Sequence, residues 1–149
     1  MTMTSEAKAS ITMVYELPHP PAKVWRALTE PKLVEKWLMK ADAAPAVGGK
    51  VTLRLEPTQW WDGIVECEVL ELEPHKRLRY TWRGGPAGPA KLDTVVTWTL
   101  TPTKSGGTRL MLEHGGFQPQ QGFAYGGAQQ GWARNINERL RAVLAQMDA

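Results

Sequence analysis

The apolar positions of the chain change period along its length, and each change marks a different kind of element. Ile11, Met13, Tyr15 and Leu17 alternate with Thr12, Val14 and Glu16, the two-residue period of a strand with one apolar face. Pro18-His19-Pro20-Pro21 stops that strand. Proline fits a first helical turn, so the same residues open a short helix carrying Val24, Trp25 and Leu28. Thr29 is expected to end it and to cap a second short helix, with Pro31 near its start and Leu33, Val34, Trp37 and Leu38 on one face. The two together form a lid or a corner. From residue 50 onward strands follow one another, at about 50–56, 63–73, 77–83, 92–101 and 108–114. Turns at Pro74-His75, at 84–90 and at 102–107 are short, so neighbouring strands pair antiparallel. Three inward sets are clear: Leu78, Tyr80 and Trp82; Val96, Trp98 and Leu100; Leu110, Leu112 and His114.

The last run, residues 129–147, has a different period. Trp132, Ile136, Leu140, Val143, Leu144 and Met147 recur at three-and-four spacing, with Arg134, Asn135, Glu138, Arg139 and Arg141 opposite them. The pattern predicts one long amphipathic helix that needs a wall to lie against. If each apolar side chain contributes about 1.5–3 kcal/mol on burial, the helix becomes a major part of the core. Gly126 and Gly127 read as a break before it, and residues 118–127, rich in Gln and Gly, as a loop.

Composition narrows the classes. A chain of 149 residues fits a single domain, expected over 10–149 behind a flexible tail of 1–9. No apolar run is long enough to span a bilayer, so no membrane is expected. The net charge of +3 comes from basic residues scattered among acids, which argues against nucleic acid. His75-Lys76-Arg77 reads as a solvated hairpin turn. The first residues lack a signal pattern and Cys67 is the single cysteine, so no internal disulfide is expected and the cytoplasm is the default.

An order of strand, two short helices, antiparallel meander and closing helix is that of the helix-grip fold, and the residues carry a resemblance. The chain resembles the SRPBCC (START, birch-pollen-allergen-like) superfamily, and within it the family named for homology to the activator of heat-shock protein 90 ATPase. The matching stretches are Pro20 with Val24-Trp25-Arg26-Ala27-Leu28-Thr29-Glu30-Pro31 and Trp37; Gly48-Gly49; Val69-Leu70-Glu71-Leu72-Glu73-Pro74 with Arg77-Leu78 and Tyr80-Thr81-Trp82; Gly107-Thr108-Arg109-Leu110; and His114-Gly115-Gly116-Phe117 followed by Gly131-Trp132. The resemblance implies an α+β fold, a curved antiparallel sheet of about six strands wrapped round the C-terminal helix. It also implies a cavity between them for a small hydrophobic ligand. Cys67, where relatives carry small residues, and the bulky Trp60-Trp61 depart from the family's pattern and alter that cavity. Relatives include binding proteins, co-chaperone domains, cyclases and hydrolases, so fold alone does not choose among them.

The candidate residues leave these readings open. Trp37, Trp60, Trp82, Trp98 and Trp132, with Tyr80, either fill the core or line a ligand cavity. Glu66 and Glu68 share parity with Ile64, Leu70 and Leu72, so an unbroken strand turns both inward, where they could serve as acid or base; a bulge near Cys67 would return them to solvent. His114 is the third candidate acid or base, against the alternative of a satisfied core histidine. Cys67 reads as a buried small hydrophobe. Histidines, serines and glycines show no metal, nucleophile or phosphate-loop spacing, so no metal or cofactor is expected. Three functions follow: a protein binding an apolar or aromatic ligand, with a role in stress; a co-chaperone-like module acting on an ATPase chaperone, less expected for a lone domain; and a cyclase or hydrolase of a polyketide-like substrate using Glu66, Glu68 or His114. The protein is a monomer or a homodimer under any of them.

Overall fold

Two prolines set the corner that follows the first strand. In the computed structural model, which describes residues 9–59, 61–84 and 92–147, β1 (Ala9–Leu17) leads into α1 (Pro21–Thr29) and α2 (Pro31–Trp37). Proline at the first position of each helix supplies a fixed φ and gives up only an N–H that has no helical partner. Glu30 is extended (φ −79°, ψ 120°) because the residue before a proline is pushed out of the helical region, so one residue ends α1 and caps α2. Thr29 is therefore not the cap. Its hydroxyl instead donates to the Trp25 carbonyl one turn back, at 2.8 Å.

The remaining elements are β2 (Lys40–Ala41), β3 (Lys50–Arg54), β4 (Ile64–Glu73), β5 (Arg77–Gly84), β6 (Asp93–Pro102), β7 (Thr108–Phe117) and α3 (Gly122–Arg134). A π-helical segment, Asn135–Leu140, and α4 (Arg141–Gln146) continue α3 without a break. The strands form one seven-stranded antiparallel sheet in the order β1-β7-β6-β5-β4-β3-β2. The α+β helix-grip architecture is thus as predicted, with one more strand; two residues are too few for β2 to show a period. Of the expected tail of residues 1–9, residues 1–8 lie outside the described residues, and Ala9 is already the first residue of β1. The turn expected at 84–90 also lies largely outside them.

Three predicted inward sets all face the helix, and Leu78, Val96, Trp98, Leu100, Leu110, Leu112 and His114 are buried. On the helix side the predicted stripe is buried too, from Trp132 through Ile136, Leu140, Val143 and Leu144. Four of these residues, 132, 136, 140 and 144, are spaced by four. In an α-helix of 3.6 residues per turn, each such step overshoots the turn by roughly 40° and the stripe drifts away from the sheet. The wider turn of the π segment takes up that drift. Arg141 ties the helix to the edge strand: its guanidinium lies 5.7 Å over the Tyr15 ring and donates to the Glu16 carbonyl.

The helix begins at Gly122, well before the predicted start, so Gly126 and Gly127 lie inside it and not ahead of it. Among the described residues no helix is long and apolar enough to cross a membrane.

Candidate functional site

The sheet and α3 do not close on one another. A cavity of about 340 Å³ lies between them. Its sheet wall is made by Val65, Trp82, Leu92 and His114, and Leu38, Met39, Leu55 and Trp61 close one side. The helix wall is made by Phe123, Ala124, Gly127, Ala128, Gly131, Trp132 and Asn135. Those positions recur at three-and-four spacing and so share one helix face. Four of the seven have a single methyl group or no side chain, and a Cβ added at Gly127 or Gly131 would meet nothing within 4 Å. The hollow exists because this stretch of helix carries so little. Phe123, at the rim, is 83% exposed, so the cavity is a cleft with a mouth at the start of α3.

His114 faces the cleft by the plain alternation of β7, and a bulge just beyond it turns Phe117 inward as well. β7 would place residues 114 and 116 inward and 117 outward, but the β1 register shifts here, Ser10 pairing with Gly115 and Ala9 with Phe117. Gly116 takes up the extra residue at φ 102°, a left-handed conformation that disfavours any side chain. Phe117 consequently joins His114 on the inward face, with ring centroids 4.7 Å apart.

The polar atoms of this wall form a directed chain. Trp132 Nε1–H donates to His114 Nδ1 at 2.9 Å. An indole N–H can only donate, so Nδ1 carries the lone pair and the ring proton sits on Nε2. That proton points at Thr94 Oγ1, 2.8 Å away, and the Thr94 hydroxyl donates to the Trp82 carbonyl at 2.8 Å. Burial pushes the imidazole down to about 3, because a charged ring here would lose water and gain no counter-charge. His114 is a neutral, doubly bonded wall residue. Both its nitrogens are engaged within the protein, which removes the basis for its use as a general base.

Glu66 and Glu68 lie elsewhere. Val65, Cys67 and Val69 are the inward residues of β4. The pairing with β5 slips between Val69 and Glu71, so Leu70 bulges out, 41% exposed, and the phase resets to bring Leu72 opposite Leu78. The expected parity with Leu72 therefore fails before Glu68 is reached, and the bulge lies three residues beyond Cys67. Both carboxylates are on the outer face, Glu66 exposed and Glu68 3.8 Å from Arg83. They do not converge with His114 on any cavity, so the arrangement that acid–base chemistry by these three requires is not present.

The predicted aromatic set divides. Trp82 and Trp132 line the large cleft with ring centroids 5.3 Å apart. Trp37 and Tyr80 line a separate hollow of only about 40 Å³ beside Cys67. Trp98 packs edge-on between them, 5.8 Å from Trp37 and 5.4 Å from Trp132, and borders neither space. Trp60 lies outside the described residues, whereas its neighbour Trp61 does line the cleft. Most indole N–H groups are spent internally: Trp37 on the Ala27 carbonyl, Trp98 on the Tyr80 hydroxyl and Trp61 on the Ile64 carbonyl. Cys67 is buried, its thiol pushed up to about 12 by burial first and the Asp42 carboxylate second, which suits a packing role and not a nucleophile. The sequence reading misses the cleft's helix wall, because it places Ala124 and Gly127 in a loop, assigns Ala128 to no element and gives Gly131, inside the predicted helix, no part in a cavity. Their four-residue recurrence was the available signal.

Residues 18–145 match the family described as activator of Hsp90 ATPase homolog 1-like protein. The chain belongs to that family. Among solved structures it is similar to protein MLL2253 from Mesorhizobium loti, at 45% identity and a TM-score of 0.84, covering 95% of this chain and all of that one (100%). It is similar over 95% of its length, and 99% of the other's, to the Aha1 dimer from Colwellia psychrerythraea, at 19% identity and a TM-score of 0.76; that likeness shows the shared fold. DynU16, a protein of the dynemicin biosynthetic locus, matches at 26% identity and a TM-score of 0.73 over 92% of this chain and 47% of that one. No curated protein matches the chain.

Proposed function

We propose that this member of the activator-homolog family is a small-molecule binding protein and that the cleft under α3 takes an apolar or aromatic guest. One observation carries the reading: a hollow of about 340 Å³, large enough for a ligand of two or three rings, is held open by helix positions that carry almost no side chain. Interior glycines weaken a helix by about 0.5–1 kcal/mol each relative to alanine, so their place on the wall of the cavity favours function over stability. A relative encoded in a biosynthetic locus is in keeping with a small-molecule role.

The test is equilibrium dialysis of the protein and of Gly131→Leu against a panel of two- and three-ring aromatic compounds. The leucine fills the cleft from a position where its Cβ meets no atom. Binding by the wild type, weakened at least tenfold in the variant with an unchanged circular dichroism spectrum, supports the reading. No binding by any compound, or equal binding by both proteins, ends it.

A co-chaperone role is favoured by the family match over residues 18–145. It would use the outer surface, so retention of an ATPase chaperone from lysate, undiminished by Gly131→Leu, distinguishes it from binding through the cleft.

A further inference from the structure

The cleft has a chemical character as well as a size. Among the described residues no Lys, Arg, Asp or Glu lines it, and the one histidine among them, His114, is held neutral with both nitrogens engaged. A charged guest would leave water and find no counter-charge. Of the polar side chains on its walls, Trp61, Trp132 and His114 are committed to internal partners. Two are not: the Trp82 indole N–H on the sheet side and the Asn135 amide on the helix side have no hydrogen-bond partner among the described residues.

Asn135 opens the π segment, and its backbone N–H is shared between the Gly131 and Trp132 carbonyls. Helical side chains lean toward the N-terminus, which brings the Asn135 amide over the turn of Gly131. Gly131 has no side chain to screen it, and the space a Cβ would take there is open. π turns of this kind recur at functional sites because they re-aim one side chain without breaking the helix.

We infer that Asn135 and Trp82 select the occupant of the cleft, and that it is an uncharged, fused-ring aromatic compound carrying a hydrogen-bond-accepting oxygen such as a ketone. Trp82 can only donate and the Asn135 NH₂ can donate as well, so a carbonyl oxygen, with two lone pairs and no proton of its own, can accept from both. The aromatic faces of Trp82 and Trp132 supply the apolar contact. The inference rests on the binding role proposed above and adds to it the polarity of the guest and the residues that read it.

The test is equilibrium dialysis with three matched probes: naphthalene, 2-acetylnaphthalene and 2-naphthoate. The ketone is expected to bind roughly tenfold more tightly than naphthalene, as one or two added hydrogen bonds allow, and the anion most weakly. Asn135→Leu should erase the ketone's advantage while leaving naphthalene binding within about twofold, and Trp82→Phe should reduce the ratio of the two affinities. Naphthalene binding by each variant also reports that the cleft is intact. Equal affinity for naphthalene and the ketone, tightest binding of the anion, or an equal loss of all probes in Asn135→Leu overturns the inference while the binding role stands. Failure of all three probes to bind overturns both.

Discussion

The indole N–H of Trp132 donates to Nδ1 of His114 across 2.9 Å, joining the closing helix to the last strand at the floor of the cleft. Both residues are buried, so neither partner finds water if the other is removed. Trp132→Phe should cost about 1–3 kcal/mol for the stranded acceptor, in addition to any packing loss. His114→Phe strands the Trp132 donor in turn, and the double variant strands neither. Urea denaturation of the four proteins should give a double variant more stable than the sum of the single losses. Additivity within about 0.5 kcal/mol would mean that this bond contributes nothing to stability.

The same histidine should set part of the acid sensitivity of the fold. Its ordinary value of 6.5 applies to the unfolded chain, and the folded protein holds it down at about 3. Above pH 6.5 both states carry a neutral ring and the group has no effect on the balance. As the pH falls from 6.5 toward 3, the unfolded chain takes up a proton that the folded chain refuses, and stability drops by about 1.4 kcal/mol per pH unit. Denaturation of the wild type and of His114→Phe between pH 7 and pH 4 isolates this contribution, since other titrating groups are common to both. The stability lost on acidification should be smaller in the variant; parallel losses would place the acid sensitivity elsewhere.

Strand phase was legible where a strand runs unbroken, as in Val96, Trp98 and Leu100, because alternation alone fixes the face. It fails in β4, where a bulge at Leu70 resets the phase, so that parity carried back from Leu72 assigns Glu66 and Glu68 to the wrong face. The helix start failed for a different reason. Gly126 and Gly127 look like a break in local terms, yet packing of Ala124 and Trp132 against the sheet holds the backbone helical through them. The Trp132–His114 bond joins residues 18 apart in sequence, and no local pattern announces such a pair. The seam of rings from Trp37 to Trp132 could be anticipated as a set, but its division into two hollows depends on how Trp98 packs.

Cys67 should behave as a packed methyl-sized group and not as a reagent. With its thiol pushed up to about 12 by burial, the thiolate is scarce at pH 8 and the sulfur has no access to solvent reagents. Labelling by an aromatic disulfide reagent should be complete within mixing in urea and, in native buffer, no faster than unfolding. Rapid labelling of the native protein would show that the small hollow beside Tyr80 opens on its own.

The glycines of α3 offer the sharpest link between sequence, stability and the cleft. Gly127 and Gly131 sit within a helix where alanine is favoured by about 0.5–1 kcal/mol at each position. A Cβ at either position meets nothing within 4 Å, so no clash offsets that gain. Gly127→Ala combined with Gly131→Ala should raise the stability to urea by about 1–2 kcal/mol. Each methyl group projects into the space a guest would fill, so the same protein should bind aromatic probes more weakly than the wild type. A stability gain with undiminished binding would separate the glycines from the ligand, and a stability loss would mean that they serve the shape of the helix instead.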